Sequence, residues 1–135
     1  MLITVSEEGP LRVTVLTLHG DLDAASYPQV VDKAQEAYAA GARRLVLDLT
    51  KVPFISSAGL MALHTTGLLF SGHLVQKDGA GRLSYRSIDP EMDQEARQRV
   101  KLVNPQPRVA HVLETVGLHQ FFEIHPDVAA AVSSF

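Results

Sequence analysis

Two adjacent hydroxyls, Ser56 and Ser57, stand in the run Ile55-Ser56-Ser57-Ala58-Gly59, directly ahead of a helical pattern. A serine at a helix start meets unpaired backbone N–H groups and the positive end of the macrodipole. Its hydroxyl can simply cap the helix. It can also carry a phosphate, since a helix N-terminus accommodates a group of about −1.5 to −2 charge without unfolding the domain. A third chemistry is nucleophilic: Ser57 with Gly59 two residues on forms half of a G-x-S-x-G elbow. The first glycine of that elbow is Ile55 here, and 135 residues are short for a hydrolase. A Ser–Asp–His set drawn from Ser57, Asp89 or Asp93, and His111 or a later histidine is of a kind that chance easily supplies.

The remaining polar candidates are weaker. Asp21 and Asp23 follow an apolar run, where turn geometry accounts for both. The functional alternative sets Asp23 beside the Ser57 loop. Asp48 fits a structural role, bonding the N–H groups of the loop after its strand. The six histidines show no metal-ligand spacing, and there is no cysteine to assist them. Asp78-Gly79-Ala80-Gly81 follows no clear strand and lacks a Gly-Lys-Ser/Thr ending, so it reads as a turn rather than a P-loop. No metal or cofactor is expected.

These residues need elements to position them. Leu2–Val5 and Val13–Leu18 read as two strands of a hairpin around Glu8-Gly9-Pro10. Tyr27, Val30, Val31, Ala34, Ala37 and Tyr38 share one helical face. Ser26 and Gln29 have capping-box spacing, Pro28 sits in the first turn, and Gly41 marks the stop. Leu45–Leu49 is a nearly unbroken apolar run, as in a strand covered on both faces. Leu60, Met61, Leu63, His64, Gly67 and Leu68 form the stripe of a second helix, of which Leu60, Met61, Leu63 and Leu68 are read as core. Val100–Val103 is a strand, Val109, Val112, Leu113 and Val116 give a third helix, and Phe121–Ile124 gives a last strand before a short helix that Asp127 can cap. The order ββαβαβαβα predicts an α/β fold: a single mixed sheet of four to five strands with about four helices. Residues 71–98 interrupt it as an insertion. There, His73–Gln76 and Arg82–Arg86 can pair as a hairpin and Glu91–Gln98 can form a turn or two of helix; a structureless loop is the alternative.

Bulk properties bound the function. A chain of 135 residues suits one domain spanning 1–135. A net charge of −3 without a basic block argues against nucleic acid as a partner. No apolar run approaches the roughly 20 residues of a membrane span, and the start lacks a signal-peptide pattern. A cytoplasmic location is the expectation.

Several motifs then combine. LVLDLTKVPFISSAGLMAL resembles the core signature of the STAS family: a strand ending D-L-[ST], a loop V-x-[FY]-[IM], then [DS]-S-[AST]-G-L. GDLD ahead of the first helix and PRVAHVLETVGLHQFFEI near the end are similar to further elements of that family. The resemblance covers nearly the whole chain outside 71–98 and implies a bacterial regulatory module of the anti-sigma factor antagonist type. It implies that Ser57 is the phosphoacceptor, with Ser56 as second choice because it replaces the aspartate of D-S-[AST]-G. It implies a partner surface of Asp21, Asp23, Ser56, Ser57, Ala58, Gly59 and Leu60. The implied partners are an anti-sigma factor serine kinase, bound by the unphosphorylated domain so that a sigma factor is freed, and a serine phosphatase. The domain would be a monomer or weak dimer and not an enzyme. The alternatives are a scaffold or adaptor subunit of a stressosome or lipid-transport complex and, further off, a small serine hydrolase.

Overall fold

The computed structural model describes residues 1–72, 76–77, 83–84 and 90–135, and of 76–77, 83–84 and 90–94 the backbone alone. Five strands form one mixed sheet in the order β1-β2-β3-β6-β7. β1 (Leu2–Glu8) and β2 (Val13–His19) are the antiparallel hairpin, with Ile3 opposite Leu18 and Glu8 opposite Val13. β3 (Leu45–Lys51) pairs parallel with β2, β6 (Val100–Val103) with β3, and β7 (Glu123–His125) with β6. Within residues 71–98, β4 (Gln76–Lys77) pairs antiparallel with β5 (Leu83–Ser84) as a separate ladder, and a helix, α3 (Pro90–Arg99), leads directly into β6. The rest of the expected hairpin, the Asp78–Gly81 turn and Asp89 lie outside the described residues.

Strand alternation sorts the sheet residues into two faces. Leu16 and Leu18, Leu45, Leu47 and Leu49, and Val100 and Leu102 point to one face and are fully buried there. That face is covered by α1 (Tyr27–Ala39), α2 (Ser57–Phe70), α3 and α4 (Pro107–Thr115), through Val30, Leu63, Ala96 and Val109 among others. Val13, Val15, Val46 and Val103 point to the second face and meet only Ala131 and its neighbours on α6 (Val128–Ser133). The central strands are therefore apolar on both sides, as the Leu45–Leu49 run suggests.

The first helix departs from its expected start. Ser26 is the residue before α1, yet its hydroxyl makes no capping bond to the helix. Ser26 Oγ accepts from the Asp23 N–H and donates to the Asp21 carbonyl, while Asp23 Oδ1 accepts from the N–H groups of Ala25 and Ser26. Asp23 thus does the capping one turn earlier, and the Ser26–Gln29 box does not form. At the other end, Gly41 has φ 108°, and the Gly41 and Ala42 N–H groups close on Tyr38 and Ala37 as a Schellman motif.

There are six helices among the described residues, more than the four expected. One extra is α3. The other is α5 (Leu118–Phe121), which occupies the start of the expected Phe121–Ile124 strand, so that β7 begins at Glu123. The aromatic pair explains the difference. Phe121 and Phe122 are both buried and stack edge to face at 4.7 Å, Phe121 also meeting His64 of α2. Consecutive inward side chains suit a helix end, whereas a strand would send one of them outward.

Candidate functional site

The sheet's own hydrogen bonds build the site. Beyond Thr17 and Asp48 the β2–β3 register advances by one residue, and His19 faces Lys51. The pairing then continues out of the sheet into two loops. Gly20 N–H donates to the Lys51 carbonyl at 3.0 Å, Leu22 N–H to the Phe54 carbonyl at 3.0 Å, and Ser56 N–H to the Leu22 carbonyl at 2.9 Å. Leu22 and Ile55 form an isolated parallel bridge, and both side chains are buried. The Gly20–Asp23 loop is thereby fastened alongside the loop that ends in the serine pair.

Gly59 is required by this fastening. It sits in the first turn of α2, buried against Leu22, and a Cβ there would strike the Leu22 carbonyl oxygen and Ile55 Cγ1. That carbonyl already accepts the Ser56 N–H, so it is not free to turn away.

The two serines then take different tasks. Ser56 is the N-cap of α2: its backbone is extended, and its Oγ accepts from the Gly59 N–H at 3.3 Å. Ser57 is the first helical residue, exposed, and its hydroxyl makes no hydrogen bond among the described residues. Ala58 and Leu60 are half-buried, Leu60 against the core. Asp23 is half-buried with its carboxylate engaged in the turn, and Asp21 is exposed on the same loop. All seven residues of the expected partner surface therefore belong to one pair of tethered loops and the first turn of α2, though Gly59 shapes that surface from beneath. Asp48 stands apart: its Oδ1 accepts from the Thr50 N–H and hydroxyl, and Asn104 and Gln106 bond Thr50 from the next loop. Its role is to hold the end of β3.

Helical spacing sets Ser57, Leu60, Met61 and His64 on one face of α2. Gly59, Ala62 and Leu63 between them are buried, and on this face Ser57 and Met61 are exposed. Met61 is 40% exposed and Phe54, in the preceding loop, 44%. Reading Met61 as core is corrected here; Leu63 and Leu68 are core. An apolar helix flanked by α1 and α3 gives no sequence signal as to which of its faces stays open. A neutral hydroxyl thus stands among apolar groups at a helix N-terminus, next to an acidic loop. That arrangement can bind a protein surface, and a phosphate on Ser57 would change its charge without disturbing the cap.

The sequence model of the STAS domain matches residues 4–66. No curated protein sequence matches. Solved structures share the fold over almost the entire chain. An anti-sigma factor antagonist from Mycobacterium paratuberculosis superposes with a TM-score of 0.66 at 22% identity, covering 98% of this chain and 93% of that one. SpoIIAA, a Bacillus cell fate determinant, in its phosphorylated form gives 0.60 at 17% identity over 98% and 97% of the two chains. The anti-sigma factor antagonist SpoIIAA in its unphosphorylated form gives 0.62 at 18% identity over 98% and 94%.

Proposed function

Starting from a chain with the STAS fold, whose residues 4–66 match the STAS domain itself, we propose that it is a protein-binding switch controlled by phosphorylation of Ser57. In the unphosphorylated state it binds an anti-sigma factor serine kinase and so frees a sigma factor; phosphorylation releases the kinase, and a serine phosphatase resets the domain. It acts in the cytoplasm as a monomer or weak dimer, without catalytic activity of its own. The observation that carries this reading is the division of labour between the serines. Ser56 caps α2, and Ser57 is left exposed with an unengaged hydroxyl.

The mechanism is electrostatic. Phosphorylation adds about −1.5 to −2 charge at a surface where Asp21 and Asp23 already lie close by in the tethered loop. The N-terminus of α2 tolerates that charge, so the domain stays folded. A partner seated on Phe54 and Met61 must then desolvate a dianion, and each 1.4 kcal/mol lost weakens binding tenfold. Release requires no refolding.

The test is a paired capture from source-cell lysate with Ser57→Ala and Ser57→Asp baits, followed by titration with the captured kinase once purified. The alanine form is expected to retain a serine-kinase-like protein that the aspartate form loses. Equal capture by both would make Ser57 a constitutive contact in a scaffold and end the switch reading.

A further inference from the structure

The opposite pole of the sheet gathers cations that the switch does not use. Arg44 immediately precedes β3 and Arg99 immediately precedes β6. Leu45 faces Val100 and Val46 faces Lys101 in the parallel register, and Arg99, the last residue of α3, leads into β6 where Arg44 leads into β3. Alternation directs Lys101 to the second face of the sheet, the one α6 covers, and Arg44 and Arg99 join it at that edge. There they line a single cavity of about 370 Å³ together with Glu123, Ser134 and the Phe135 ring.

Among the described side chains the charges in this cavity do not balance. Lys101 is only 3% exposed, and its ammonium donates to Glu123 Oε1 at 3.1 Å and the Ser134 carbonyl at 3.4 Å while lying 4.7 Å over the Phe135 ring. Glu123 is the one side-chain carboxylate lining the cavity among the described residues, and it is shared, since His125 Nε2 lies 3.1 Å from the same oxygen. Burial pushes the Glu123 carboxyl up, but the hydrogen bond and charge of Lys101, the His125 contact and the charge of Arg97 together hold it below the ordinary carboxylate range. It is therefore already ionised and matched to Lys101. Arg97 is committed elsewhere, donating to the His119 and Gln120 carbonyls. Arg44 and Arg99 have no acceptor among the described residues. Like charges lining one cavity repel, and a chain of net charge −3 has no general need to concentrate cations at one corner.

We infer that this cavity is a second binding site, for a small soluble phosphate compound, held between the guanidinium groups of Arg44 and Arg99. Guanidinium forks match phosphate oxygens two at a time, and two of them converging suit a diphosphate or a phosphomonoester. The volume admits a small molecule and not a macromolecular surface. The site lies at the far end of β3 from Ser57, so it can be occupied whether or not Ser57 is phosphorylated.

The experiment is an amide-resolved NMR titration of the full chain with pyrophosphate and with adenosine monophosphate, at constant ionic strength set by sodium chloride. Saturable shifts are expected at Arg44, Arg99 and Val100 and not in the Ser56–Leu60 turn. Arg99→Ala and Arg44→Ala should each weaken binding by roughly tenfold, the scale of one lost charge-assisted contact. Ser57→Ala should leave it unchanged. Absence of saturation up to about 10 mM, weaker than a site with two guanidinium contacts should be, would overturn the inference. So would equal affinity in the arginine variants. A parallel sedimentation with phosphatidylcholine vesicles containing phosphatidylglycerol separates the sources of phosphate: arginine-dependent binding to vesicles without binding of the soluble probes would assign the site to a lipid headgroup and refute a soluble ligand.

Discussion

Replacing Gly59 by alanine tests whether the two site loops are held as described. In an exposed helix the change would stabilise by about 1 kcal/mol, because alanine is the better helix former. Here the new methyl meets the Leu22 carbonyl and Ile55 Cγ1 in a buried position. Forcing a methyl into a packed site costs about 1–3 kcal/mol. If the loops part to make room, the bonds from Leu22 N–H to Phe54 and from Ser56 N–H to Leu22 are strained or lost, at about 1 kcal/mol each. With both bonds lost and the helix gain set against them, the net expectation is a destabilisation of about 2–4 kcal/mol. For a chain of this size that lowers the melting temperature by about 4 °C per kcal/mol. Thermal and urea unfolding give the global number. Hydrogen exchange at the Leu22 and Ser56 amides gives the local one, and both should exchange faster relative to the core strands. A Gly59→Ala variant as stable as the parent, with both amides equally protected, would show that the close approach of α2 to Leu22 is not what joins the loops.

Ser56→Ala should cost about 1 kcal/mol in urea unfolding through loss of the cap, toward the low end because the bond is 3.3 Å long, whereas Ser57→Ala should stay within about 0.5 kcal/mol; the reverse order would exchange the roles of the two serines. Phe54→Ala and Met61→Ala should each weaken capture of the switch partner by about tenfold or more, as truncation of a buried apolar contact does, and equilibrium binding to the purified partner decides it. Glu123 has a folded-state pKa below its ordinary value of 4.5, so its contribution to stability is complete above that value and is lost as the pH falls through the lowered one. Denaturation curves across that acid range should show the parent losing stability more steeply than Glu123→Gln, and identical slopes would remove Glu123 as the linked group.

Much of the architecture was legible in the chain because it is written in local periodicity. The Leu45–Leu49 run reported a strand covered on both faces, the Tyr27–Tyr38 stripe reported a helix, and the break at 71–98 reported an interruption. The site's location was legible too, since a hydroxyl before a glycine and an apolar helix start carries its own chemistry. The sequence did not assign the tasks of Ser56 and Ser57: one residue of shift at a helix start decides which caps and which is free, and that shift follows from Ser56 bonding Leu22 across the fold. The same limit explains Asp23, whose carboxylate holds the turn ahead of α1 where the spacing predicts a Ser26 cap, and the α5 turn, which two consecutive aromatic residues impose by packing against α2. Whether Met61 and Phe54 face water or core depends on where α1 and α3 stop covering α2. The meeting of Arg44, Arg99 and Lys101 depends on α3 ending where β6 pairs with β3, residues more than fifty positions apart. Periodicity is a property of neighbours along the chain; exposure, capping and charge convergence are properties of neighbours in space, and only the folded sheet brings those together.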